Sequence, residues 1–342
     1  MYPKDFNFKM PAEWEKHTRT LISWPVQDSM CYPEDYEMVC RGYAQIIKAV
    51  AEFEPVTVLV NASDLKKVNR LFNGGSVEFL PIEHNDSWLR DNGPTFIVND
   101  KGETAGVNWN FNAWGGKYAP WDLDDQVASQ ILERFGLLRF DAPLVMEGGS
   151  IHVDGEGTLI TTEECLLNPN RNPQLCREQI EDYLKKYLNV EKVIWLKSGL
   201  SGDETDGHVD NIACFAAPGK ILMQVCDDPE DDNCTITQEN LTILRKETDA
   251  LGRELEIIPV QQPPRVIDKG KRLTMSYLNF YFVNGGLVLP VFGGTAEETD
   301  RLAEKVLSET FPDRRIRTVD GMAILREGGN VHCTTQQVTA GK

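Results

Sequence analysis

No run of apolar residues in this chain approaches the roughly 18 that a membrane-spanning helix needs, which excludes an integral helical membrane protein. Its first residues, Met1-Tyr-Pro-Lys-Asp-Phe-Asn-Phe-Lys, lack the apolar stretch of a secretory signal. The eight cysteines (31, 40, 165, 176, 214, 226, 234 and 333) include no Cys-x-x-Cys pair and no dense framework, so a disulfide-stapled secreted scaffold is excluded and a reduced cytoplasmic protein is expected. Basic residues are outnumbered, 35 Lys and Arg against 53 Asp and Glu, and the net charge of −18 repels phosphate backbones while attracting cations. Nucleic-acid partners are therefore not expected. Low-complexity stretches are missing too, and hydrophobic residues at 41% suffice for a packed core. No Pro/Gly/Ser linker is long enough to mark a boundary, so residues 1–342 read as a single domain.

What the chain does have is one short pattern written five times: an acidic or amide residue, then Gly or Asn-Gly, then a β-prone run. The copies are Asp91-Asn-Gly-Pro-Thr-Phe-Ile-Val, Glu147-Gly-Gly-Ser-Ile-His-Val, Asp206-Gly-His-Val-Asp-Asn-Ile-Ala-Cys-Phe, Asn284-Gly-Gly-Leu-Val-Leu-Pro-Val and Glu327-Gly-Gly-Asn-Val-His-Cys. Their starts fall 56, 59, 78 and 43 residues apart, too uneven for a solenoid of identical units. The spacing suits a few supersecondary modules with variable loops, arranged radially so that equivalent strand starts meet at a centre. Such a ring would gather Asp91, Glu147, His208, Asp210 and Cys333 from distant parts of the sequence.

The periodicities agree with that plan. Thr18 to Trp24 and Val56 to Val60 read as strands flanking a helix from Tyr36 to Phe53. Helical spacing recurs at Leu123 to Phe135, Gln174 to Tyr187, Thr237 to Leu251 and Ala296 to Thr310. Three of these are followed by β-prone runs at Lys192 to Leu196, Leu255 to Val260 and Ile316 to Val319. The result is an α/β alternation of five ββαβ-like modules. Two stretches stand outside it. The aromatic loop from Trp109 to Trp121 is expected to plug one end of the ring or to cover a ligand, and the acidic loop from Cys226 to Cys234 reads as a solvated turn without the spacing of a calcium loop.

Cys333 follows Gly328-Gly329-Asn330-Val331-His332, where glycines let a backbone approach a ligand closely. It is either a nucleophile, which then needs a lowered pKa or a neighbouring cation, or a small buried hydrophobe like the other seven. The echo position carries Val153, so an apolar residue is tolerated there and the thiol is not needed for packing. His208 and Asp210 are two apart; on a strand they would face one side and enter one site. A zinc pair or a satisfied polar turn are the other readings of that stretch, and no further His or Cys cluster stands at metal spacing. Trp88-Leu-Arg-Asp91 places an aromatic face beside a carboxylate, a pairing that suits a flat guanidinium, although Arg90 and Asp91 alone would also make a surface ion pair.

Trp88-x-Arg-Asp91-x-Gly-Pro, Asn112-Ala-Trp114-Gly-Gly, Glu147-Gly-Gly, Gly207-His-Val-Asp210-Asn and Gly328-Gly-Asn-Val-His-Cys333-Thr-Thr-Gln-Gln together resemble the agmatine deiminases of the guanidino-group-modifying (pentein) superfamily. The resemblance runs from Met10-Pro-Ala-Glu-Trp-Glu to Gln337. It implies a five-bladed pseudo-symmetric α/β propeller, with Cys333 as nucleophile and His208 as general acid/base. It also implies that Glu147 orients that histidine, that Asp91 and Asp210 grip the guanidinium, and that Trp88 lines the pocket. The chain departs from the pattern at one place: a third Gly is expected where Glu327 stands.

From these assignments a two-step hydrolysis is expected. The Cys333 thiolate attacks the guanidinium carbon, His208 protonates departing ammonia, and the same histidine then activates water to release a ureido product. No metal and no organic cofactor is required. The bound cation can itself stabilise the thiolate. Agmatine carries a second positive charge and no carboxylate, so its tail calls for an acidic or aromatic partner. Glu204 is the candidate, with Trp114 and its loop covering the alkyl chain; a turn-capping acid is the other reading of Glu204. Alternatives within the superfamily are a deiminase of free or peptidyl arginine and an amidinotransferase. A non-catalytic ring-fold protein that binds ribosomes is disfavoured by the acidic charge and the full Cys/His/Asp/Glu set. The expected partner is a small cationic guanidine, with no nucleic acid and no membrane, and a homo-oligomer is expected.

Overall fold

Five small sheets of one connectivity organise the described residues, and each has an antiparallel pair of strands followed by a helix and a third strand parallel to the second. The computed structural model of the chain describes residues 1–29, 31, 35–72 and 76–341. The first such sheet uses Thr95–Val98, Thr104–Asn110 and Leu138–Val145, with the helix Asp124–Arg134. The second uses His152–Val153, Thr158–Thr162 and Lys192–Leu196 with Arg177–Leu188, and the third uses Ala213–Ala217, Lys220–Val225 and Glu256–Gln261 with Asp232–Leu244. Tyr281–Val283, Gly286–Val291 and Arg315–Asp320 with Glu297–Thr310 make the fourth. In the fifth, the C-terminal strand Thr335–Thr339 pairs antiparallel with His17–Ser23, which runs parallel to Val56–Val60 and is followed by the helix Tyr36–Ala51. Both ends of the chain therefore share one sheet, which Val77–Pro81 extends by a fourth strand.

Local chemistry explains these units. The middle strands run between two packed neighbours, so Thr158–Thr162 is buried at every position and Val56–Val60 likewise. Tyr36–Ala51 buries Tyr36, Val39, Cys40, Tyr43, Ile46, Ile47 and Val50, an i, i+3, i+4, i+7 stripe that seals its sheet. Each large apolar side chain on that stripe contributes about 1.5–3 kcal/mol on burial. Among the described residues no helix is long and apolar enough to cross a membrane.

Three expectations are corrected. Asn284-Gly285 is the two-residue loop of a hairpin in which Val283 pairs with Gly286, and Gly285 takes φ 74°, which the turn requires. The polar residue ahead of that unit's first strand is Asn279, two positions before Tyr281, so the fourth copy of the pattern lies one strand too late. The helix expected at Thr237 to Leu251 instead spans Asp232–Leu244, because Asp231 accepts the Asn233 amide at 2.9 Å and starts it earlier. The tail of the acidic loop is thus a helix cap, and Asp231 is further held by both terminal nitrogens of Arg272 at 2.6 and 2.9 Å. Finally, His208 and Asp210 are not on a strand: His208 begins the single 3-10 turn Val209–Asn211 that leads into Ala213–Ala217.

Candidate active site

The turn before the first strand of each unit supplies the polar residues, and contacts run from one turn to the next until they return to the first. Asp91 Oδ1 accepts the Gly149 amide at 3.0 Å. A Cβ on Gly149 would lie 2.6 Å from His208 Nδ1, 2.9 Å from Asp91 Oδ1 and 3.0 Å from Asp210 Oδ2, so only glycine lets these three groups close around one point. Asn211 Oδ1 accepts from Asn279 Nδ2 at 3.0 Å, and Asn279 Nδ2 lies 3.2 Å from Cys333 Sγ. Arg90 Nε donates to the His332 carbonyl at 3.3 Å and closes the circuit.

All eight residues singled out by the sequence meet here. Cys333, Asp91, Trp88, Trp114 and Glu204 line one narrow pocket, together with Cys31, Tyr118, Thr205, Glu327, Gly328 and Gly329. His208, Glu147 and Asp210 lie behind this wall. Asp210 Oδ2 is 3.5 Å from Cys333 Sγ, His208 Nδ1 is 3.8 Å from Asp91 Oδ1, and His208 Nε2 is 3.7 Å from Glu147 Oε2. The last distance is within ion-pair reach but too long for a hydrogen bond, and His208 Nε2 and Asp210 Oδ1 have no hydrogen-bond partner among the described residues. Cys333 itself sits in the short turn Val331–Thr334 directly before its strand, not on it.

Charge pairing sets the protonation states. Glu147 accepts from Arg171 Nε at 2.7 Å; burial opposes its ionisation, but His208 and Arg171 together hold the carboxyl below its usual range. Glu13 is equally buried yet held well below by His332, Arg90 and His152. Burial disfavours a charge on His208, but Asp91, Cys165 and Glu147 outweigh it and hold the imidazole well above its ordinary value. His332 faces carboxylates at both ring nitrogens, Asp210 at 3.0 Å and Glu13 at 2.9 Å, so both nitrogens donate and the ring is a cation. Burial pushes Asp91 upward, while His332 and His208 outweigh burial to hold Asp210 down. Glu147, Glu13, Asp91 and Asp210 are thus matched by Arg171, Arg90, His208 and His332. The thiol is the group left over. Burial and then the charges of Asp210 and Asp91 push it well above the normal thiol range, and it stays protonated until a cation arrives.

Several of these residues were missed by the sequence reading. Asn279 was hidden by the misplaced fourth copy. Glu13 and His332 form a buried chain to Asp210, and nothing in the periodicity of Met10-Pro-Ala-Glu-Trp-Glu signals that Glu13 reaches the centre. Arg171 lies in an irregular stretch between elements, where no pattern flags it. Nor are all other cysteines buried fillers: Cys176 is exposed and Cys31 lines the pocket. Glu147, Cys165 and His208 bring one donor atom each within 4.8 Å of one another. They suit a metal poorly, since Arg171 already holds the carboxylate and a cationic imidazole offers no lone pair.

The aromatic loop divides. Trp109 is core, its Nε1 donating to Thr95 at 2.9 Å, whereas Trp114 Nε1 donates to Asp91 Oδ2 at 2.9 Å. Ala113 and Trp114 take φ of 52° and 54°, a left-handed conformation that costs non-glycine residues about 1–3 kcal/mol each. Asn112 holds it by accepting the Gly115 amide at 2.8 Å. Glu204 accepts from Tyr118 Oη at 2.7 Å and from Lys271 Nζ, so its charge is already matched.

Comparison with known proteins extends the geometry. Residues 9–339 match the Porphyromonas-type peptidyl-arginine deiminase family. The chain is 43% identical to the agmatine deiminase of Pseudomonas aeruginosa (strain LESB58), over 99% of this chain and 97% of that protein. Its structure is similar to that of the agmatine deiminase of Enterococcus faecalis (TM-score 0.93, 37% identity, 99% of this chain and 98% of that one). A C. jejuni agmatine deiminase with substrate bound is also similar, with TM-score 0.89 and 31% identity over 98% of this chain and 97% of that one.

Proposed function

The chain belongs to the Porphyromonas-type peptidyl-arginine deiminase family, and from that premise we propose that it hydrolyses agmatine to N-carbamoylputrescine and ammonia. It is an enzyme that acts on the guanidino carbon–nitrogen bond. The observation that carries agmatine over arginine is the pocket wall: Asp91, Glu204 and Glu327 line it, and no Lys or Arg does among the described residues. An α-carboxylate would enter that space against three carboxylates and with no Lys or Arg on the wall itself, a cost of several kcal/mol in a desolvated site.

In the reaction, Asp91 and Asp210 take the guanidinium N–H groups, with Asp210 Oδ1 free to accept one. The cation supplies the missing positive charge, and Cys333 passes its proton to water as the substrate enters, since the imidazolium of His208 cannot accept it. Its sulfur bonds to the guanidinium carbon while one C–N bond breaks, and His208 gives a proton to the departing ammonia. The amidino-thioether is then attacked by water that His208 deprotonates. The C–S bond breaks as the added hydroxyl becomes the ureido carbonyl, and the hydroxyl proton goes to sulfur, which restores the thiol. Glu147, fixed by Arg171, keeps His208 charged and oriented. The circuit of five turns supports a single catalytic domain built as a five-bladed pseudo-symmetric propeller. Eight free cysteines fit a cytoplasmic setting. Incubation with agmatine, arginine and an arginine peptide, with ammonia and ureido product measured, tests the proposal. Agmatine should be preferred by roughly a thousandfold, and comparable kcat/KM for arginine would overturn the substrate while leaving the chemistry.

A further inference from the structure

Two glutamates share the pocket with Cys333, and their surroundings differ. Glu204 is bound to Tyr118 and Lys271. Glu327 is half-buried on the same wall, and its carboxylate has no hydrogen bond or ion pair among the described residues. Its charged neighbours are Asp35, Asp86, Lys271 and Lys269. Gly328 turns the chain between it and the nucleophile's loop with φ 101°, and a Cβ there would sit 3.3 Å from Glu204 Oε2, so the two glutamates flank one part of the pocket. A partly buried carboxylate with two acidic neighbours, and with no hydrogen bond or ion pair among the described residues to offset them, is unfavourable for folding, which marks it for ligand binding.

We propose that Glu327 is the residue that holds the distal ammonium of the substrate, and so selects a dicationic aminoalkyl-guanidine over a guanidine with a neutral tail. This rests on the agmatine reading above. Glu204, neutralised by Lys271, contributes less net charge and instead fixes Tyr118 against Trp114, whose rings meet edge to face at 5.7 Å. Burial and Asp35 push the Glu327 carboxyl up to about 7, with Lys271 opposing. In the empty enzyme it gains its charge as pH rises through neutrality, while an alkyl ammonium stays charged up to about pH 10. Selection for the dication therefore strengthens between about pH 6 and pH 8.

The test compares kcat/KM for agmatine with kcat/KM for butylguanidine, a ratio in which ionisations common to both substrates cancel. In wild type the ratio should rise from pH 6 to pH 8. Glu327→Gln should lower it about tenfold at pH 8 and flatten its pH dependence, as expected for loss of one charge-assisted bond. Glu327→Ala should do the same, and Glu204→Gln should lower it less. An unchanged ratio in both Glu327 variants, or a larger loss in Glu204→Gln, overturns the inference while wild-type turnover of agmatine keeps the functional reading intact. Wild-type protein that releases ammonia from neither substrate sinks the reading and the inference together.

Discussion

Glu147-Gly-Gly-Ser-Ile-His-Val and Glu327-Gly-Gly-Asn-Val-His-Cys are nearly the same sequence on equivalent turns, and the molecule uses them in opposite ways. Glu147 is buried against Arg171 and held below the usual carboxyl range, whereas Glu327 is half-buried, unpaired among the described residues and pushed up to about 7. Both histidines reach the same Glu13, His152 at 3.6 Å and His332 at 2.9 Å. His152 Nδ1 accepts the Phe215 amide, while His332 donates from both nitrogens and is a cation. Val153 packs in the core and Cys333 opens onto the pocket. One motif thus yields a structural strut in one place and a reactive wall in another. The partners that surround each copy decide between them.

The largest effect comes from making the fifth copy like the second. Cys333→Val should abolish ammonia release while the thermal midpoint stays within a few degrees, since valine is close to cysteine in volume and apolar swaps of similar size cost little. Asp91→Asn and Asp210→Asn keep the shape but remove one charge from the proposed guanidinium grip. Each should lose about 2–4 kcal/mol of transition-state stabilisation, and less than tenfold in kcat/KM, about 1.4 kcal/mol, would rule out that role. His332→Gln should lower kcat/KM about tenfold because it breaks the chain from Glu13 to Asp210, while His152→Gln should change it less than about threefold; equal effects would erase the contrast between the copies.

The smallest effect is on stability against pH. Glu147 has a lowered folded pKa, so its contribution is present above about 4.5 and is lost as pH falls through the folded value. Glu147→Gln should therefore melt below wild type at pH 7, by a gap that narrows in acid. Glu327 has a raised folded pKa, so its contribution is present below about 4.5 and is lost as pH rises towards 7. Glu327→Gln should match wild type near pH 4 and melt slightly above it at pH 8. Melting curves of both variants across this range give the two signs directly.

Much of this was legible without coordinates, and the reasons differ by residue. The helix Tyr36–Ala51 and the strand Lys192–Leu196 were readable because a single periodicity governs each. Cys333, His208, Asp91 and Glu147 were readable because a local pattern repeats around them. Asn279 was not, since its unit has a two-residue hairpin whose Asn-Gly imitates the pattern one strand later. Glu13, Arg171 and the state of His332 depend on contacts across more than a hundred residues or on irregular loops, and no local spacing encodes those. The pairing of Glu204 with Lys271, 67 residues on, is no more visible to local spacing, and with it goes the distinction between a neutralised rim carboxylate and one unpaired among the described residues.

The measurement closest to the central claim is the site of covalent attachment during turnover. Wild-type protein mixed with agmatine, quenched in acid within the first turnovers and digested, should carry an adduct equal to agmatine less ammonia on the peptide that contains Cys333, and on no other cysteine. An adduct on Cys31, the other thiol on the pocket wall, or ureido product from Cys333→Val, would contradict the account.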